Sequence, residues 1–406
     1  MVEVTNYIDR LVAELCPDGV EYRPLGEIAD IGTGKSDKKD AQESGQYPFY
    51  VRSKTILRSS KYLYDETAIV IPGEGGVGEI FHFVSGKYDL HQRAYRVSFT
   101  VDEMNPKFGY YYISSFFKEY INRHAVEATV KSIRKPMLVK FEVPVPPLEI
   151  QEAIVEILDK FTNLEAELEA ELEARTLQYE YYRGSLFGTL KDPATGLPAI
   201  AGLVKTLCPD GVEYRSLKDV VAKNYGGGTP SKSKAEYWEG NIPWASVGDL
   251  SDDVLEVTDT RSKITEEGVK GSSTNIVPAG AVIVAIKINP GRMKIAGMNL
   301  AINQDIRGLV LNDSMNARFL TYYFRTLMFA GHGTIVKSIT NKHLMETKIP
   351  VPPMEIQQRI VDILDRFDAL TTSLSEGLPA ELAARRSQYE YYRDQLLSFP
   401  RKGENQ

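Results

Sequence analysis

Apolar residues fall at Ile150, Ile154, Ile157, Phe161, Leu164 and Leu168, in steps of 4, 3, 4, 3 and 4. That rhythm is the seam of a heptad helix. The same steps recur at Ile356, Ile360, Ile363, Phe367, Leu370 and Leu374. Each run starts just after a Pro-Pro stop. In the first run, the step from Leu168 to Leu172 is 4 where 3 is due, a stutter that locally unwinds a supercoil. The seam resumes through Tyr179, Tyr182 and Leu186. The pattern predicts one helix from Glu149 to Phe187, 39 residues long, or roughly 60 Å at about 1.5 Å per residue. Gly377 and Pro379 predict a break or kink in the second helix. Two such helices in one chain most simply pair antiparallel, as a spacer between globular bodies. A plain dimerisation coiled coil is the other reading of the seam.

Elsewhere the period changes. Short apolar runs at Thr67–Gly73, Tyr95–Phe99, Ala281–Ile286 and Arg307–Leu311 read as strands. Aromatic-rich stretches at Phe108–Tyr120 and Arg318–Phe329 read as helices whose rings belong to a core. The predicted class is therefore mixed α/β, with two globular parts and two long helices.

The pattern also repeats. LCPDGVEYR occurs at Leu15–Arg23 and again at Leu207–Arg215, 192 positions on. VPVPPLEIQEAIVEILDKF at Val143–Phe161 answers IPVPPMEIQQRIVDILDRF at Ile349–Phe367, an offset of 206. QYEYYR at Gln178–Arg183 returns at Gln388–Arg393. Shorter echoes are Lys131-Ser132-Ile133 with Lys337-Ser338-Ile339, and Met104-Asn105 with Met315-Asn316. The chain is a pseudo-two-fold tandem repeat. The implied layout is a first globular domain at 1–147, a central helix at 148–188, a second domain at 189–351, a C-terminal helix at 352–398 and a tail at 399–406. The ends of the two halves match closely and the middles have diverged. Like parts should meet like partners, and unlike parts unlike ones.

Charge sharpens this division. The formal net charge is −7, and residues 148–188 alone carry 10 Asp+Glu against 3 Lys+Arg. The acidity thus lies in the helix, whose EAELEAELEA run reads as a solvated face, while both globular parts are near balance. The two cysteines, Cys16 and Cys208, occupy the same place in the repeated nonapeptide and read as buried structural thiols. There is no signal-peptide pattern and no long uncharged apolar run, so a cytoplasmic location is expected.

Several motifs tempt and fail. Gly32-Thr33-Gly34-Lys35-Ser36 resembles the end of a P-loop, but the required earlier glycine is Ala29. Gly73–Gly78 lacks the context of a dinucleotide site and reads as a hairpin turn or a close backbone approach. Pro17-Asp18-Gly19 reads as a turn before a strand. His82, His91, His124, His332 and His343 make no metal-ligand spacing. No catalytic set is apparent, so the chain is not expected to be an enzyme.

Polar and basic residues gather in the divergent loops. The first half has Lys35, Ser36, Lys38, Lys39, Arg52, Lys54, Arg58, Lys61, Gln92, Arg93, Lys131, Arg134 and Lys135. The second has Thr229, Ser231, Lys232, Lys234, Lys287, Asn289, Arg292, Lys294, Asn303, Gln304, Lys337, Thr340, Asn341 and Lys342. Lys and Arg suit phosphates and guanine edges, and Asn and Gln suit adenine. Taken singly such loops are ordinary solvated surface. Equivalent clusters in both halves favour contact with DNA.

The second half carries Gly227-Gly228-Thr229-Pro230-Ser231, then Tyr237-Trp238-Glu239-Gly240-Asn241-Ile242-Pro243-Trp244 and Gly248-Asp249-Leu250. With the repeated Pro-Val-Pro-Pro-x-Glu-Ile-Gln helix start, the chain resembles the specificity (S) subunits of type I restriction-modification systems. The first half departs from that signature, having neither Tyr-Trp nor Ile-Pro-Trp. The resemblance implies that each divergent half is a target-recognition domain reading one part of a split, asymmetric site in double-stranded DNA. It also implies that the helices set the unread gap and dock two methyltransferase subunits. S-adenosylmethionine would be held by those subunits, and ATP by a restriction/translocase subunit, with no cofactor in this chain. The alternative is a coiled-coil adaptor that binds protein only.

Overall fold

The computed structural model describes residues 2–123, 132–329, 337–371 and 377–403. Lys131, Leu374, His124 and His332 lie outside the described residues. Two compact units emerge. One is Met1–Ala166 with Ala384–Gln406, and the other is Glu167–Ala383. Among the described residues no helix is long and apolar enough to cross a membrane.

In the first unit the core sheet has six strands, in the order Ala29–Thr33, Ala94–Phe99, Tyr64–Pro72, His82–Leu90, Tyr47–Tyr50 and Leu57–Ser59. All neighbours are antiparallel except Tyr47–Tyr50 on His82–Leu90. The helix Pro106–Arg123 supplies Phe108, Tyr111, Ile113 and Phe117 to the core beside Ile69, Ile71 and Val97. The second unit has a five-stranded sheet, Val221–Gly226, Ile306–Leu311, Val282–Ala285, Met293–Ala296 and Glu256–Val257. A four-stranded sheet joins it, Ser262–Ile264, Trp238–Ala245, Leu300–Ile302 and Ile276–Val277. All four strands expected from the apolar runs are present. The aromatic helix expected over Arg318–Phe329 is shorter, ending at Phe324. Its last turn tightens, with Thr326 N–H bonding Tyr323 C=O and Leu327 N–H bonding Phe324 C=O. Arg325 turns away to the Asp253 carbonyl at 2.6 Å.

The long helix runs from Leu148 to Lys191, 44 residues. The second run is split, Met354–Thr371 and Leu378–Leu396. Gly377 stands between them at φ +81, and a Cβ there would meet the Ala369 and Leu370 carbonyl oxygens at 2.6 and 2.8 Å. The helices pair antiparallel, and each repeat borrows from the other. In the first unit the Phe161 ring lies 6.2 Å from Tyr389 and 6.0 Å from Tyr392, with Arg386 on Glu165 at 2.6 Å. In the second unit the corresponding Phe367 lies 6.4 Å from Tyr179 and 5.2 Å from Tyr182. Of the seam, Ile150, Ile154, Ile356 and Ile360 are fully buried in the domain cores, while Ile157, Phe161, Leu164, Leu168, Ile363, Phe367 and Leu370 are part-buried. Leu158 and Leu364, outside the heptad positions, are also buried, because the helix start packs on its domain as well as on a second helix.

The repeated helix start has a physical purpose. Asn105 and Asn316 cap the aromatic helices, each side-chain oxygen accepting from two backbone N–H groups. Gln151 and Gln357 are fully buried. The Gln357 amide accepts from Asn316 N–H at 2.8 Å and donates to the Ser314 and Pro352 carbonyls, both at 2.8 Å. Gln151 does the same to Asn105, Glu103 and Pro146.

The chain tail completes the first unit. Val20 N–H bonds the Pro400 carbonyl at 2.8 Å and Lys402 N–H bonds the Val20 carbonyl at 3.0 Å. Leu396, Leu397 and Phe399 enter the core with Ile8. In the second unit the equivalent contacts, Leu186 and Phe187 with Ile200, lie within one continuous stretch of chain. Cys16 and Cys208 are free, each half-buried rather than buried as the sequence suggested, because each sits at the exposed end of a helix.

Candidate nucleic-acid interface

Each unit gathers its divergent loops at one sheet end. In the first, the turn His91–Arg93 between two strands is the hub. Ser36 bridges His91, and Glu74 bridges Ser132. Arg52 and Arg93 both reach the Glu74 carboxylate at 2.9 Å. The hydrogen bond from Arg93, with that from Arg52, outweighs partial desolvation and holds the Glu74 carboxyl below its ordinary range. Gln92 donates to Asp37 at 3.2 Å.

The second unit repeats this backbone scaffold with other side chains. Gly73 N–H to Arg93 C=O corresponds to Ile286 N–H to Asp305 C=O, and Ile133 N–H to Gly73 C=O corresponds to Ile339 N–H to Ile286 C=O. Lys287 bridges Ser338 as Glu74 bridges Ser132. Lys287 therefore stands where Glu74 stands, and Asp305 where Arg93 stands. Lys287 and Asp305 pair at 2.6 Å. The same ion pair is present in both domains with its signs exchanged. Thr229 donates to Gln304 beside it.

The scaffold also settles the tempting motifs. A Cβ on Gly34 would lie 1.8 Å from the Leu90 carbonyl oxygen, so this backbone packs on the neighbouring strand rather than around a phosphate. Gly73–Gly78 connects two antiparallel strands, with Gly75, Gly76 and Gly78 at positive φ.

The basic and polar residues divide by burial. Lys35, Lys38, Lys39, Arg52, Lys54, Arg58, Lys61, Gln92, Arg93, Arg134, Lys135, Ser231, Lys232, Lys234, Lys287, Asn289, Gln304, Lys337, Thr340 and Lys342 are exposed. Thr229, Arg292 and Asn341 are half-buried. Ser36, Lys294 and Asn303 are buried and bonded inside the chain. The Ser36 hydroxyl donates to Asp89 at 2.8 Å, the Lys294 ammonium pairs with Asp252, and Asn303 accepts from Asp305 N–H at 3.0 Å. These three shape the loops and do not present their polar atoms on the surface. Arg58 braces its own hairpin through the Gly45 and Gln46 carbonyls, Thr340 caps a short helix, and Asn341 accepts from Asn224. Arg292 is held by Asp253 at 3.0 Å. Sequence reasoning passed over Glu74 and Asp305, because acids do not suggest DNA until their partners are known.

Burial depresses the Lys294 ammonium, and Asp252 offsets this only in part. Burial raises the Asp252 carboxyl, but the hydrogen bond and attraction from Lys294 outweigh it and hold it low. Removing the carboxylate should therefore be worse than removing both charges. Because Asp252 is itself exposed and partly screened by solvent, Asp252→Ala is expected to cost about 1 kcal/mol, and Asp252→Ala with Lys294→Met less than that, by denaturant unfolding. Equal losses would show that the buried ammonium does not need its partner.

Among the described residues no group of three or more His, Cys, Asp or Glu could hold a metal ion. The family model described as the type I restriction modification DNA specificity domain matches this chain twice, over residues 17–174 and 209–384. The chain belongs to the type I restriction-modification DNA specificity family. It is 36% identical over 427 aligned positions to the EcoR124I/EcoR124II specificity subunit of Escherichia coli, covering 98% of each chain. It is 26% identical to a putative type I specificity subunit, S.HindORF215P, of Haemophilus influenzae, covering 94% of this chain and 96% of that one. The fold matches the crystal structure of the S subunit from M. genitalium at a TM-score of 0.57, with 17% identity over 93% of this chain and 96% of that chain. As a type I specificity subunit the chain is not itself an enzyme. The two family matches coincide with the two halves read from the internal repeat.

Proposed function

We propose that each half of this specificity subunit reads one part of a bipartite, asymmetric DNA site. The observation that carries the reading is the exchanged ion pair. One backbone scaffold presents Glu74 and Arg93 in one domain and Lys287 and Asp305 in the other, while the helix starts repeat nearly unchanged. Unlike loop tips on like scaffolds suit two different base sequences. Like helices suit two copies of one partner. The exposed cations hold phosphates, and the amides of Gln92, Gln304 and Asn289 suit base edges. Two methyltransferase subunits dock on the spacer helices, whose acidic run faces protein rather than DNA. Those subunits hold S-adenosylmethionine, and a restriction/translocase subunit that uses ATP joins them for cleavage.

The first test is a gel shift of the chain with its methyltransferase partner at low and moderate salt. Affinity should fall steeply with salt. No DNA binding, or binding indifferent to salt, would favour a protein-only adaptor. The second test is Gln304→Ala, assayed by methylation of point-substituted sites. It should cost about 1–3 kcal/mol and relax one position of one half-site. Equal relaxation of both half-sites would defeat the assignment.

A further inference from the structure

Ile288 adopts φ +70, a conformation in which a β-branched residue is an outlier. Asn289 N–H donates to the Lys287 carbonyl at 2.9 Å, closing a three-residue turn about Ile288, the rare strained form of that turn. The equivalent residue of the first domain is Gly75, at φ +73. The same backbone conformation is thus built twice, once with the residue that tolerates it and once with one that does not.

Among the described residues, no hydrogen bond that holds the turn involves the isoleucine side chain. The residue is 55% exposed. The turn is held by backbone bonds that any residue would make, Ile288 N–H to Lys337 C=O at 2.8 Å and Gly291 N–H to Ala285 C=O at 2.9 Å. A strained conformation kept with an apolar side chain in solvent points to a ligand outside the fold. Its neighbours identify that ligand's chemistry. Lys287 and Asn289 flank it, and Asp305 and Gln304 stand beside Lys287. An apolar tip beside an ion pair and two amides matches a DNA groove. On the base edges of the major groove the apolar group is the thymine C5 methyl.

We infer that Ile288 is a specificity-determining contact that packs on a thymine methyl in the half-site read by the second domain. This inference rests on the DNA-reading function proposed above. A short branched side chain on a rigid turn suits a methyl at the groove floor and needs no unstacking of bases.

The test uses the full chain assembled with its methyltransferase partner, and a duplex carrying the methylated site. Each thymine of both strands is replaced in turn by deoxyuridine, which lacks only the methyl. The wild type should lose about fivefold in affinity at one position of the second domain's half-site. Ile288→Gly should lose a similar factor on the unmodified duplex, be indifferent to deoxyuridine at that position, and melt no lower than the wild type. Wild-type indifference to every replacement overturns the inference, as does a half-site without thymine. It also falls if Ile288→Gly stays sensitive at the wild-type position, or if it lowers the melting temperature while leaving affinity unchanged. Absence of salt-sensitive DNA binding by the wild type is a separate result, and it would remove the DNA reading itself.

Discussion

Gln357→Leu is expected to destabilise the second unit by about 3–5 kcal/mol, among the largest effects of any single substitution outside the cavity-forming ones. The side chain is fully buried and joins three backbone groups from different segments, Asn316 N–H and the Ser314 and Pro352 carbonyls. Leucine fills similar space but leaves one donor and two acceptors without a partner, each costing about 1–3 kcal/mol in a site closed to water. Asn316 is also the cap of the aromatic helix, so the loss reaches the helix whose Tyr322 hydroxyl bonds Asp365 of the spacer at 2.7 Å. Gln151→Leu should act alike in the first unit. Gln358→Leu, one residue on and exposed, should stay within about 0.5 kcal/mol. Denaturant unfolding measures all three. A Gln357→Leu loss no larger than that of Gln358→Leu would remove the anchoring role.

Seven residues added to the long helix between Phe161 and Tyr179, with seven more between Phe367 and Tyr389, should change the gap between half-sites and nothing else. A heptad adds about 10 Å of helix and returns the seam to the same face. Along DNA that is about three base pairs at most, at 3.4 Å each. The insertion must be matched, because Phe161 is read against Tyr389 and Tyr392, and Phe367 against Tyr179 and Tyr182. Lengthening one helix alone should misalign both aromatic clusters and weaken assembly. Mapping methylated adenines in cells carrying the variant reads gap and half-sites together. An unchanged gap would count against the helices setting it.

What the sequence disclosed follows from what repeats and what alternates. The heptad steps, the Pro-Pro starts and the nonapeptide are local signals, and they located the helices and the duplication. Gly377 and Pro379 marked the break because a left-handed glycine and a proline act through their own backbone. The end of the aromatic helix at Phe324 was hidden, since the Arg325 guanidinium leaves for a carbonyl 72 positions away. The interface was legible by composition and not by role. Lys294 reads as a loop cation like any other until Asp252, 42 positions distant, is seen to take it inside. Ile288 was invisible for the opposite reason, because an apolar residue in a loop carries no flag until its φ is known.

The borrowed tail has a consequence for how the chain matures. Residues 384–403 supply the first unit with Tyr389, Tyr392, Leu396 and Leu397, and with the strand-like bridge to Val20. A ribosome delivers those residues only after the whole of Glu167–Ala383 has been made. The earlier-born unit must therefore wait, its apolar face open, while the later-born one can close first. A nascent chain stalled after Ala383 would leave the older half without its last helix, while the newer half has all of its core residues.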